Sequence, residues 1–125
     1  MSRYVDGFVF TIKSGKMKAY KKMASDAGKM WMKYGAIQYV ECVGNDLTPD
    51  NHGMKCLTFP QITKPRKGEK IGFSFIVYKS KKHRDAVNAK VMKHMMEEYK
   101  DGDMKDMPFD MKKMVHGGFE TIVDL

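Results

Sequence analysis

The chain alternates between stretches whose apolar residues recur at every second position and stretches in which they recur at every third or fourth. Tyr4 to Ile12 has the shorter period, placing Tyr4, Asp6, Phe8, Phe10 and Ile12 on one side and Val5, Gly7, Val9 and Thr11 on the other, and predicts strand one. Ser14-Gly15 turns the chain. Lys16 to Tyr34 then reads as helix one. At about 3.6 residues per turn, Ala19, Tyr20, Met23, Ala24, Ala27, Met30, Trp31 and Tyr34 share a face, and Lys18, Lys21, Lys22, Lys29 and Lys33 lie opposite. Gly35 closes this helix in the manner of a left-handed cap, strand two runs from about Ala36 to Val43, and Gly44-Asn45-Asp46 breaks it. The stretch Leu47 to Gly68 carries Pro49, Pro60 and Pro65 and reads as a loop with one short helical turn after Thr58. Ile71 to Tyr78 predicts strand three, and Ser80 caps a second helix reaching about Met96. Gly102 to Met114 is a mostly irregular return, and Gly117-Gly118 leads into strand four, Phe119 to Val123.

This order is β-α-β-β-α-β. With right-handed crossovers in both β-α-β halves it gives an antiparallel sheet in the order 4-1-3-2 with both helices on one face. The expected fold class is therefore α+β, ferredoxin-like, as a single domain over residues 1–125. Its strands are apolar on both faces, which one helical layer cannot cover. The economical cover for the open face is a second copy of the chain, a homodimer packed sheet to sheet as a dimeric α+β barrel.

Composition narrows the class without naming a chemistry. A 14.4 kDa chain that is 42% hydrophobic and 30% charged suits one globular core. The longest apolar runs, Phe8-Val9-Phe10 and Phe73 to Tyr78, are too short for a signal core or a bilayer span, so a cytoplasmic protein with no membrane partner is expected. The net charge of +8 would suit nucleic acid, but the lysines of helix one fall on its solvated back. Cys42 lies within a strand pattern and reads as a buried free thiol. His83 and His94 are too far apart along one helix to share an ion, and His52 with Cys56 matches no compact zinc spacing, so neither metal nor cofactor is expected. No nucleophile signature or phosphate loop appears, and the 13 methionines read as adaptable packing.

The sharpest constellation is on helix two, where Arg84 and Asn88 project from the face that also carries Val87, Val91 and Met95. A guanidinium aimed at a sheet requires an acceptor. Helix two starts beside the end of strand three, which neighbours the beginning of strand one, so Asp6 is the predicted partner of Arg84. Asn88 completes the network, and Asp110 or Asp124 stand as fallback partners. The bland reading is a fold-locking ion pair; the functional one is an Arg-Asn anion clamp at a pocket mouth. Glu41 and Glu120 are read chiefly as charges that protect sheet edges, with a buried acid and base pair as the alternative. His116 beside the double glycine reads as a surface histidine, with a haem or metal ligand as the lesser alternative.

Tyr4-Val5-Asp6-Gly7-Phe8, Val40-Glu41-Cys42, Phe73-Ser74 with Tyr78 and Ser80, Arg84-Asp85 with Asn88, Met107-Pro108-Phe109-Asp110 and Gly117-Gly118-Phe119-Glu120 together resemble the YbaA-like family of small bacterial proteins. The resemblance covers nearly the whole chain; Phe75, Lys79, Lys113 and His116 depart from its pattern. It implies a dimeric α+β barrel in the cytoplasm and no known activity. Two alternatives come from other classes. Fold analogy alone suggests a cofactor-independent oxygenase or an isomerase. Gly72 to Tyr78 resembles the aromatic strand-three motif of RNA-recognition domains, but Lys70 is one place out of register and the strand-one companion motif is missing, so nucleic acid is disfavoured. The leading reading is a protein of unassigned activity with a small-molecule pocket inside the barrel.

Overall fold

The computed structural model describes residues 2–98 and 107–125. Four strands, β1 (Tyr4–Ile12), β2 (Gln38–Val43), β3 (Lys70–Tyr78) and β4 (Val115–Glu120), form an antiparallel sheet in the order β2-β3-β1-β4, which read from the opposite edge is 4-1-3-2. Three helices accompany it: α1 (Met17–Lys33), the short α2 (Phe59–Thr63) and α3 (Lys81–Glu98). Among the described residues, no helix is long and apolar enough to cross a membrane.

Local chemistry accounts for the boundaries. Gly35 takes the left-handed φ of 112° that only glycine adopts freely, and the amides of Gly35 and Ala36 bond back to Met32 and Trp31, closing α1. Ala36 is used in that closure, and β2 runs from Gln38 rather than from Ala36, with the Ile37 amide already bonded to Val77 of β3. The turn expected after Thr58 is α2: the Thr58 hydroxyl accepts from the Gln61 amide while the Gln61 side chain accepts from the Thr58 amide, a reciprocal capping box. Ser80 caps α3 by accepting from the His83 amide at 3.1 Å, and α3 extends to Glu98.

Strand four departs from expectation. It spans Val115–Glu120, not Phe119 to Val123, and Gly117-Gly118 lies inside it. The register explains why: Gly118 stands opposite Asp6, and the Tyr4 ring occupies the space a Gly118 side chain would need. The glycines are a point of close approach, not a lead-in turn. Within the expected return, 102–106 lie outside the described residues. The remainder includes a bridge from Phe109 to Ile12 and a short 3-10 turn at Met111–Lys113.

The helix-facing side of the sheet carries Phe10 and Ile12 of β1 and Ile76 and Tyr78 of β3, all buried. Two packed clusters form there, one of Phe10, Ile12, Tyr20, Ala24 and Phe109, the other of Ala36, Ile76, Tyr78, Val87 and Val91; Phe8 packs against both. The lysines on the back of α1 are exposed, as its periodicity requires. The opposite sheet face presents Val5, Val9, Val40, Phe73, Phe75 and Phe119. The α2 residue Phe59 packs its ring against Phe73 at one end of that face. Cys42, opposite Phe73 on the edge strand, is exposed rather than buried, because this face has no second layer over β2.

The seam between α1 and β2 is tight at Gly28, where an added Cβ would stand 2.7 Å from Cδ1 of Tyr39. Gly28→Leu should therefore destabilise the protein by about 1–3 kcal/mol through overpacking, despite the roughly 1 kcal/mol gain in helix propensity over glycine. Urea unfolding checks this, and unchanged or raised stability would refute so close a seam.

Candidate functional site

Between the two core clusters the helices and sheet do not meet, and a cavity of about 610 Å³ remains. Its walls are chiefly apolar, from Phe8 and Phe10 of β1, Met23 and Ala27 of α1, Met92 and Met95 of α3, and Phe109. Polar groups gather at two places on these walls.

At one of them β1, β3, α1 and α3 converge. Asp6 is 8% exposed, and its Oδ1 lies 3.5 Å from Nε of Arg84. That separation makes an ion pair but no hydrogen bond, and the buried Nε–H finds no hydrogen-bond acceptor among the described residues. Arg84 Nη2 donates to the Tyr4 hydroxyl at 3.1 Å, its guanidinium stands 5.0 Å from the centre of the Tyr4 ring, and Nη1 is 3.5 Å from Asp85. Asn88 and Tyr78 lie beside the Asp6 carboxylate and favour its ionised form. The Asn88 side-chain oxygen accepts from the Trp31 indole at 3.0 Å and from the Tyr78 hydroxyl at 3.1 Å; the same indole N–H is 3.1 Å from the Tyr78 oxygen. Burial raises the Asp6 pKa and outweighs the opposing pull of Arg84, Asn88, Tyr78 and nearby His116. Burial, with Asp6 close by, likewise raises the Tyr78 phenol.

The second polar group stands on β2 and α1. Tyr20 donates to Oε1 of Glu41 at 2.6 Å, and Tyr39 donates to Oε2 at 2.6 Å. Burial and these bonds push both phenols above their ordinary range, so both hydroxyls remain donors. The Trp31 ring leans against Tyr39 with centroids 6.1 Å apart.

The Asp6–Arg84 pairing with Asn88 is found as the helix phase predicts. The fallback partners are elsewhere: Asp110 caps the 3-10 turn by accepting from the Lys112 amide at 3.0 Å, and Asp124 pairs with Arg3 at 3.8 Å on the exposed surface. Glu120 is exposed opposite Tyr4. Glu41 corrects its edge reading, because it shares a sheet side with Ser74 and faces the cavity although β2 is an edge strand. His116 is exposed overall but reaches the cavity rim, its ring stacked at 6.1 Å on Phe8. The polar residues that the sequence reading does not assign to the site are aromatics with polar tips, Tyr4, Tyr20, Trp31, Tyr39 and Tyr78; the signal for them is that a buried hydroxyl or indole requires a partner. Among the described residues no group of three or more His, Cys, Asp or Glu side chains is placed to hold a metal ion.

These features define an α+β protein with a half-enclosed, mostly apolar cavity between its antiparallel sheet and its long helices. The chain belongs to the DUF1428 family, described as proteins of unknown function, whose profile matches residues 3–111. It is 41% identical over 123 residues to the uncharacterized protein YbaA of Escherichia coli (strain K12), covering 98% of each chain. The same identity and coverage hold for uncharacterized protein YbaA of Shigella flexneri.

Since the folded-state pKa of Asp6 is raised, its contribution to stability is complete below the ordinary aspartate pKa and is lost as pH rises through the raised value. Urea unfolding of wild type and Asp6→Asn between mildly acidic and neutral pH should show wild type losing ground to the variant as pH rises. A difference that is flat or shrinks with pH would show that the carboxylate is not held this way. Arg84→Met, which leaves Asp6 without its cation, should cost about 3 kcal/mol at neutral pH in the same assay.

Proposed function

We propose that the protein is a cytoplasmic homodimeric α+β barrel of one ferredoxin-like domain, and that each protomer binds a small, largely apolar molecule in the cavity between its sheet and helices. The observation that carries this reading is the cavity itself. It has about 610 Å³ of space, apolar walls and polar side chains converging at set places, where a purely structural interior would be filled by side chains. Asp6, Arg84, Asn88 and His116 form one polar end of the site and Glu41 another.

The dimer follows from the uncovered sheet face. Phe73 is 43% exposed and Phe119 62%, beside Val5, Val9, Val40 and Phe75. A contiguous apolar surface of this kind is stable in water when a like surface covers it. The strand-three aromatics Phe73 and Phe75 lie on this face, so a sheet-to-sheet dimer also removes them as a base-stacking platform.

Light scattering after gel filtration should give twice the chain mass of 14.4 kDa for wild type and a single chain mass for Phe75→Glu. A monomeric wild type would sink the dimer. For the cavity, Trp31 is the only tryptophan in the chain and stands in the wall, so its emission reports occupancy. Phenylbutanol should shift that emission saturably in wild type, and Ala27→Phe, which fills the cavity from α1, should abolish the shift. If the two proteins respond alike, the cavity is not the binding site.

A further inference from the structure

The charges on the cavity wall differ in sign from those of the molecule as a whole. The chain carries a net charge of +8, yet among the described residues Asp6 and Glu41 line the cavity against a single guanidinium, Arg84, with His116 at the rim. Arg84 is already committed to Asp6, Tyr4 and Asp85. An anionic ligand would have to displace carboxylates that hold it, so the Arg-Asn clamp is occupied from within the chain.

Glu41 is in the opposite condition. Among the described residues no Lys, Arg or His nitrogen lies within ion-pair distance of it, and the hydroxyls of Tyr20 and Tyr39 donate to it, one to each oxygen. Each phenol takes one lone pair and leaves the other open, while the two bonds fix the carboxylate plane. Lys21 and Lys29 line an outer groove between α1 and β2 whose wall Tyr39 and Glu41 also form, but neither lysine comes within ion-pair distance of the carboxylate or lines the cavity. Among the described residues Glu41 is thus a preorganised acceptor without a cation, held by two phenolic hydroxyls. Carboxylate oxygens with open lone pairs bind an ammonium by accepting its N–H bonds.

We propose that the cavity is selective for an organic cation, a primary amine on an apolar or aromatic body. Its ammonium bonds Glu41 and its body lies along Phe8, Phe10 and Met23. The Asp6 and Arg84 end, neutral as a pair, receives whatever polar group the far end carries. This inference rests on the reading of the cavity as a small-molecule site and adds the class of ligand.

Phenylbutylamine, phenylbutanol and phenylbutyrate share one body and differ in the charge of the head group, so calorimetric titration of the three into wild type, Glu41→Gln and Ala27→Phe separates the possibilities. Wild type should bind the amine roughly tenfold or more tighter than the alcohol, as a charge-assisted bond over a neutral one, and the carboxylate most weakly. Glu41→Gln should bring amine and alcohol to equal affinity, and Ala27→Phe should abolish all three. Alcohol binding as tight as amine binding in wild type, or tightest binding by the carboxylate, overturns the cation preference and leaves the cavity reading standing. An amine preference that survives Glu41→Gln or Ala27→Phe overturns it as well, by placing the amine elsewhere. No binding by any of the three overturns both readings. The wild-type ranking alone decides the matter if Glu41→Gln does not fold.

Discussion

The architecture is governed by how two long helices share one face of the sheet. The two core clusters form toward opposite ends of the central β1–β3 ladder, one around Phe10 and Ile12 and the other around Ile76 and Tyr78, and α1 contributes to both. Phe8, in the central strand, is the residue that packs against both. The space left beside it lies where helix side chains from both directions run out of reach. Met92 and Met95 reach toward it from α3, while the small Ala24 and Ala27 on α1 leave it open. The cavity is therefore a consequence of side-chain choice at a few helix positions on an otherwise close-packed frame.

Polar chemistry has been placed in that gap at a cost the surroundings offset. Removing the Asp6 carboxylate from water is unfavourable, and the raised pKa records that the facing guanidinium does not fully compensate. The ion pair at 3.5 Å is long, and the Arg84 Nε–H makes no hydrogen bond among the described residues. A pair optimised only to lock the fold would close that gap. At Glu41 the arrangement is reversed, with short phenolic bonds to both oxygens and, among the described residues, no cation within ion-pair distance. One cavity thus holds a carboxylate loosely paired with a cation and another tightly held by neutral donors.

Much of this was legible before any coordinates. The period of β1 and β3 and the lysine-backed face of α1 are patterns of single elements, and the phase of Arg84 and Asn88 on α3 led to Asp6 because the strand order brings those elements together. Three features were not legible, each for a stated cause. The placement of β4 depended on Tyr4 filling the space above Gly118, a long-range contact that turns a nominal breaker into a strand residue. Glu41 was read from its strand's position at the edge, whereas its role follows from parity with Ser74 across the ladder. The pocket expected inside the barrel could not be assigned to its lining positions, because an alanine on an apolar helix face reads as core whether or not anything fills the space in front of it.

The hydrogen bonds between α1 and β1 also have a direction. An indole nitrogen can donate and never accept, so Trp31 obliges the Asn88 oxygen to face α1 and the amide nitrogen to face Asp6. The chain of bonds is polarised one way, and its far terminus cannot receive a proton, so Asp6 exchanges no proton by way of Trp31 and meets water, if at all, on the side where the chamber is open.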